Sequence, residues 1–320
     1  MTKLVIQIPC YNEAATLRTT LEALPKEVPG VDEIAVLIVD DGSEDETVVV
    51  ARDAGVDHVV SLPRNRGLAR AFMAGLESSV RLGADIIVNT DADNQYNADD
   101  IGKLVEPILA GKAEIVVGSR PISEIQHFSS TKKILQSLGS WVVRRASNTE
   151  VADAPSGFRA MSRDAAQRLN VFSDYTYTLE TIIQAGQKGM AITSVPIRVN
   201  GETRPSRLIR SVGNYLRRSI VTILRIFITY RPLRFFAVLG SVIFLAGFCI
   251  GLRFLYFFIT EDGTGHIQSL ILGSLLMSMG FMVVITGIVA DLISVNRTLL
   301  EQIGWRLKKV EDELQKSDPK

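Results

Sequence analysis

Two stretches in the C-terminal part of the chain carry no charged side chain: Phe235–Leu252, FFAVLGSVIFLAGFCIGL, and Ile267–Ala290. They constrain the fold more than any other feature. A helix needs about 20 apolar residues to cross a ~30 Å hydrocarbon core, and the first run continues beyond Arg253 to Ile259. We read two membrane-spanning helices; the alternative is a pair of helices buried in a soluble core. The link Thr260–His266 holds two acids and no Lys or Arg, whereas Arg225, Arg231 and Arg234 precede the first run and Arg297, Arg306, Lys308 and Lys309 follow the second. Positive flanks stay on the cytoplasmic side, so both termini are expected there. Arg253 runs against this bias; it is expected to snorkel or to pair with Asp291 or a link acid.

The flanking segments carry their own patterns. Ile209, Val212, Leu216, Ile220, Ile223 and Phe227 recur at helical spacing, with Arg210, Arg217, Arg218 and Arg225 at other positions. A basic amphipathic helix of this kind lies in the membrane interface or packs on a soluble domain. Ile303, Leu307, Val310 and Leu314 form a short a/d seam, which is compatible with a coiled coil between subunits.

Residues 1 to about 205 are different in kind. Short apolar strands alternate with helical patterns: strands at Leu4–Ile8, Ile34–Val39, His58–Ser61, Ile86–Asn89 and Ile115–Val117, and helices at Ala14–Leu24, Glu44–Ala54, Leu68–Leu82 and Asp99–Ala110. The alternation predicts an α/β domain, a mainly parallel sheet flanked by helices. Ligands of such sheets bind outside the carboxyl ends of the strands. The residues there are PCYNEA, DDGSED, RNRG, TDADNQ and GSR, all polar or turn-forming. The boundaries expected are 1–207 for this domain, 208–232 for the amphipathic helix, 233–294 for the two spans and 295–320 for a C-terminal helix.

Several chemistries fall away. The chain has no G-x-G-x-x-G after its first strand, no G-x-x-x-x-G-K-[ST] and no G-x-S-x-G. Its three histidines are scattered and its two cysteines, Cys10 and Cys249, have no disulfide or zinc spacing, which suits a reducing compartment. The N-terminal apolar stretch is short and ends at Pro9, so no cleaved export signal is expected. Thirty-five basic and 35 acidic residues balance, so charge does not argue for nucleic acid. What remains is an aspartate-centred rim. Hard oxygen ligands suit Mg²⁺ or Mn²⁺ shared with substrate phosphates. Asp91 and Asp93 point the same way if their segment is extended, and Gln95 continues that alternation; Asp99 and Asp100 are expected to be structural acids at a helix start.

In order along the chain, IQIPCYNEAATL, VLIVDDGSEDET, NRGLARAFMAGL, DADNQY, VVGSR and APSGFRAM resemble family 2 inverting glycosyltransferases of the GT-A fold. Within that family the likeness is to dolichol-phosphate mannose synthases and bacterial polyprenyl-phosphate glycosyltransferases, including membrane-anchored members with two spans. The resemblance implies that Pro9, Tyr11, Glu13, Asp40 and Asp41 line the nucleoside pocket. It implies that Asp91, Ala92, Asp93 and Gln95 bind the donor diphosphate, with Asp91, Asp93 and Gln95 on a Mg²⁺ or Mn²⁺ ion. Arg120 would contact the donor or its sugar, and Ser156, Gly157 and Phe158 match the turn near the acceptor. Lys133 and Ser137 stand where the family has an Arg-x-x-x-Ser element for the acceptor phosphate, and lysine lacks arginine's bidentate fork. Arg204, Ser206 and Arg207 match a later basic segment.

The implied reaction is metal-dependent transfer of a sugar, with inversion, from a nucleotide diphosphate sugar to a polyprenyl phosphate at the cytoplasmic face of a membrane, that of a prokaryote's plasma membrane. The implied partners are donor, lipid phosphate, bilayer and a second copy of the chain, with no nucleic acid. The phosphate nucleophile is already anionic, so positioning and charge neutralisation carry catalysis. The alternative is transfer to a hydroxyl with Glu180 as base. Glu180 otherwise reads as a helix residue that orients a basic side chain. A non-catalytic nucleotide-sugar-binding scaffold is a further alternative, opposed by the presence of Asp91, Asp93 and Gln95 together.

Overall fold

The computed structural model describes residues 1–121, 144, 147, 149–171, 177–201, 221, 224–225, 228, 230–260 and 267–317. The chain divides into two compact units, Met1–Ser219 with Gly304–Lys320, and Ile220–Ile303.

The first unit is built on a sheet. Its elements run β1 (Lys3–Cys10), α1 (Ala14–Glu22), β2 (Glu33–Asp40), α2 (Thr47–Asp53), β3 (His58–Ser61), α3 (Leu68–Arg81), β4 (Ile86–Asn89), α4 (Ile101–Leu109), β5 (Ile115–Ser119), β6 (Arg159–Ser162), α5 (Arg163–Arg168), α6 (Thr178–Gln187) and β7 (Ile192–Pro196). The strand order is β3-β2-β1-β4-β6-β5-β7. All pairings are parallel except those of β6, which runs antiparallel to both β4 and β5. Leu4, Ile6 and Ile8 on one face of β1 and Val5 and Gln7 on the other are all buried, which is why the central strands read as near-continuous apolar runs.

Register aligns the strand ends. Cys10 of β1 pairs with Asp40 of β2, and Gln7 of β1 with Asn89 of β4. The loops that follow these strands therefore leave from one edge. Val117 of β5 pairs with Arg159 of β6, so the chain between these strands returns to the place it left.

Two expected helices start later than their sequence patterns. α2 begins at Thr47 because the residues before it tie loops together: Glu44 N–H donates to Asn12 Oδ1 and Asp45 Oδ2 accepts from Ala14 N–H. α4 is preceded by a 3-10 turn, Ala98–Asp100, capped by Asn97, whose Oδ1 accepts from Asp99 N–H. Asp100 is buried and paired with Lys103 and Arg198, the structural role expected of it.

The second unit contains α7 (Pro232–Thr260) and the first part of α8 (Ile267–Ser317), both long and apolar enough to cross a membrane. Glycines make their seam. A Cβ at Gly240 would lie 2.6 Å from the Gly280 carbonyl oxygen, and one at Gly247 would lie 2.7 Å from that of Gly273. Gly287 meets Phe236. Positions rise along one helix as they fall along the other, so the helices are antiparallel, with small residues every seventh position letting the backbones approach.

This register removes one of the three alternatives for Arg253, the pairing with Asp291. Asp291 lies toward the end of the hairpin opposite Arg253, and Arg253 instead sits 5.6 Å from the Phe257 ring centroid. α8 runs unbroken through the expected boundary at 294, free of proline and reinforced by the Arg297–Glu301 pair one turn apart. Ile303, Leu307, Val310 and Leu314 are exposed along it. Most of the expected amphipathic helix at 208–232 lies outside the described residues.

Candidate active site

The site is assembled where β1, β2, β4 and β5 end. After Asn89 the chain does not stay extended. Asn94 adopts φ 54°, and Gln95 N–H donates to Asp93 Oδ1 at 3.2 Å. Asp91 therefore leads into a turn and Asp93 lies within it, and the alternation expected to carry on to Gln95 stops at Asn94. Asparagine is among the few residues other than glycine that enter this region readily.

Beneath the turn lies a buried polar network. Gln7 Nε2 donates to Asn89 Oδ1, and Asn89 Nδ2 reaches the Gly157 carbonyl and the Tyr177 hydroxyl, each bond 2.9 Å. Tyr96 OH accepts from Gly157 N–H at 3.0 Å. Tyr177 stacks on Phe72 at 3.8 Å and Tyr96 on Phe158 at 5.1 Å. Gly157 is required here: a Cβ would lie 3.0 Å from both Asp91 Oδ1 and the Tyr177 hydroxyl. The neighbouring Ser156 Oγ is buried with no hydrogen-bond partner.

Two arginines supply positive charge. Arg120 follows β5 and forks onto Asp153, with Nε to Oδ2 at 2.6 Å and Nη2 to Oδ1 at 3.0 Å. Arg159, wholly buried, donates to the carbonyls of Ser156 and Ala154 and to Thr181 Oγ1. Burial lowers its pKa to about 10, partly offset by Tyr177. Burial, and then the charge of Asp93, push Asp91 up to about 7, with Arg120 pulling the other way. Perturbed charges gathered at the strand ends make this edge the candidate functional site.

The other expected residues sort by what they touch. Pro9 is buried in β1; Tyr11 is exposed and Glu13 half-buried at the start of α1. Asp40 accepts from Ser43 N–H, and both oxygens of Asp41 accept backbone N–H groups, of Arg66 and Gly67, at 2.8 Å. Asp41 thus fastens the loop that opens α3. Glu180 is buried on α6 and accepts from Gln184, an amide, at 3.5 Å. Lys133, Ser137, Arg204, Ser206 and Arg207 lie outside the described residues. Asp153, Arg159, Asn89 and Tyr177 were not singled out by sequence. Asp153 lies close before the SGF turn, but its partner is 33 residues away.

Among the described residues no group of three or more His, Cys, Asp or Glu side chains is arranged to hold a metal ion. Asp91 and Asp93 are what the turn offers. Two carboxylates, one of them held against Gly157 beside an acid of like charge, fit a small hard cation that takes its other ligands from water and phosphate.

The mainly parallel sheet, with an acidic turn and two arginines at its carboxyl edge, has the fold of the GT-A glycosyltransferases. Glucosyl-3-phosphoglycerate synthase from Mycobacterium tuberculosis, crystallised with Mn²⁺, uridine diphosphate and glucosyl-3-phosphoglycerate, shares this fold with a TM-score of 0.55 and 24% identity, over 70% of this chain and 80% of that one. The chain belongs to glycosyl transferase family 2, which it matches over residues 5–169. Among its relatives is the UDP-N-acetylglucosamine–dolichyl-phosphate N-acetylglucosaminyltransferase of Methanococcus voltae, 32% identical over 60% of this chain and 83% of that one. Another is the undecaprenyl-phosphate mannosyltransferase of Micrococcus luteus, 28% identical over 68% of this chain and 91% of that one.

Proposed function

We propose that this family 2 enzyme transfers a sugar from a nucleoside diphosphate donor to the phosphate of a membrane polyprenol. The observation that carries the reading is that one chain holds both a glycosyltransferase domain and two helices of membrane-crossing length, the combination that an acceptor confined to a bilayer calls for. Relatives whose names specify polyprenyl-phosphate acceptors support it.

In the proposed reaction a phosphate oxygen of the lipid attacks the anomeric carbon as the bond to the donor diphosphate breaks, with inversion. The nucleophile needs no base. Asp91 and Asp93 would hold Mg²⁺ or Mn²⁺, which when bound supplies positive charge to the departing diphosphate. Arg120, kept rigid by Asp153, adds a fixed cation beside Asp91. Lys133, Ser137, Arg204, Ser206 and Arg207 are proposed for the acceptor phosphate, Pro9, Tyr11, Glu13, Asp40 and Asp41 for the nucleoside side, and Ala92 and Gln95 for the diphosphate. The domain is taken as residues 1–207, followed by a juxtamembrane segment to 232, spans to 294 and a tail. The positive flanks favour the cytoplasmic side for domain and termini, here proposed in a prokaryote, and the exposed seam that starts at Ile303 would serve self-association.

The test incubates membranes containing the protein with labelled nucleotide sugars and undecaprenyl or dolichyl phosphate, with Mn²⁺ or with chelator. We expect an acid-labile labelled lipid that disappears on chelation. No labelled lipid with any donor overturns the reading.

A further inference from the structure

The three carbonyls that follow Asp93 all end on one residue. Asn200 Nδ2 lies 2.9 Å from the Asn94 carbonyl and 3.3 Å from that of Tyr96, and Asn200 N–H donates to the Gln95 carbonyl at 2.8 Å. Its Nδ2 is also 3.4 Å from Asn94 Oδ1. Tyr96 and Val199 form an isolated antiparallel bridge, and Asn97 N–H donates to the Arg198 carbonyl at 3.2 Å. A bend with a left-handed residue does not hold itself: its carbonyls need donors, or the chain relaxes to other turns.

The segment that supplies these donors is fixed at its other end. Ile197 N–H donates to the Ser119 carbonyl at 3.0 Å, and Ser119 immediately precedes Arg120. Ile197 packs so tightly on Gly118 that a Cβ there would come within 3.0 Å of it. Four residues, Ile197–Asn200, therefore run from the Arg120 end of β5 to the Asp91–Asp93 turn.

We propose that Asn200 is a positioning residue, the clasp that holds the Asp91–Asp93 turn in shape and at a set distance from Arg120. Its contribution to transfer rests on the functional reading above; its hold on the turn does not. The bonds to the Asn94 and Tyr96 carbonyls need an N–H donor, which a carboxylate of the same size cannot supply. Asn200→Asp should therefore fail much as Asn200→Ala does, although it fills the same space and keeps the backbone bond.

The experiment compares the full-length wild type, Asn200→Ala and Asn200→Asp in detergent. Hydrogen exchange is read over peptides covering 91–97, together with Tm and the donor concentration that half-saturates transfer. We expect exchange in 91–97 to quicken about tenfold in both variants, the size set by a lost hydrogen bond or two. Half-saturating donor should rise by about the same factor, with kcat less affected and Tm within a few degrees of wild type. Unchanged exchange in 91–97, an aspartate variant that behaves as wild type, or exchange that quickens equally across the whole sheet would each overturn the proposal. If the wild type transfers no sugar, the functional reading falls, and the exchange result alone decides whether Asn200 clasps the turn.

Discussion

Asp153 accepts two hydrogen bonds from Arg120 along one edge of the guanidinium, at 2.6 and 3.0 Å, and is itself wholly buried. Burial alone would lower the pKa of Arg120; Tyr96, Asp153 and Asp91 outweigh it and keep the side chain charged. The pair fixes a cation next to Asp91, with a geometry lysine cannot copy.

Removing Asp153 should therefore harm both stability and turnover. Asp153→Ala leaves a largely buried arginine without its partner, a change that costs about 3 kcal/mol or more. Thermal unfolding of the purified protein should show the loss as a clearly lower Tm. Arg120→Lys should keep most of that stability but lose about tenfold or more in transfer. Wild-type turnover in Arg120→Lys would show that the fork has no part in the reaction.

The two acids of the turn and the acid of α6 should separate cleanly. Asp91→Asn and Asp93→Asn are expected to lower transfer by about 10²–10³, the size of a lost electrostatic contact in a site. Glu180→Gln should stay within about threefold of wild type, because a lipid phosphate needs no base. A fall of about 10² or more at Glu180, the range of general-base catalysis, would favour a hydroxyl acceptor. Initial rates at saturating donor measure both.

Asp100 sets a pH dependence of stability. Burial opposes its ionisation, but hydrogen bonds from Arg198 and Lys103 outweigh burial and hold its pKa below the ordinary carboxylate value. The unfolded chain then binds this proton more readily than the folded one. Its contribution is complete above the unfolded pKa of roughly 4 and is lost as pH falls below it. Tm measured from pH 6 to pH 3 should fall at the acid end, and Asp100→Asn should show a shallower fall from a lower starting value. Parallel curves for the two proteins would contradict this.

The hairpin seam discriminates between glycines of the same helices. A Cβ at Gly280 would meet the Gly240 carbonyl oxygen and the Phe244 nitrogen at 2.6 Å, whereas one at Gly251 meets nothing within 4 Å. Gly280→Ala should cost about 1–3 kcal/mol through overpacking, and Gly251→Ala should cost nothing. Heat-induced aggregation of the detergent-solubilised variants reports the difference.

The central parallel strands were legible because β1, β4 and β5 are buried on both faces, which leaves apolar runs of strand length closed by turn residues; β7, half-buried at the sheet edge, was not. β3 and β4 match the expected bounds, His58–Ser61 and Ile86–Asn89. β6 was hidden: Arg-Ala-Met-Ser is short and opens with a charge, and the Ser156 and Ala154 carbonyls with the Thr181 hydroxyl make a buried arginine tolerable there. The carboxylate pair was visible as a pattern, but the path after it was not. The bend at Asn94 depends on Asn200, more than a hundred residues away, and no local periodicity reports such a contact. The same holds for Asp153 and Arg120.

The pairing of Val117 with Arg159 has a consequence for the length of chain that the fold tolerates between them. Because β5 and β6 are adjacent strands, the length of chain that joins them is uncoupled from the register of the other strands, and closing a longer connection adds little entropy cost. Arg120, Asp153 and Gly157 lie toward the two ends of that connection and are tied to each other or to Asn89, so a change of length is tolerated between them and not at them.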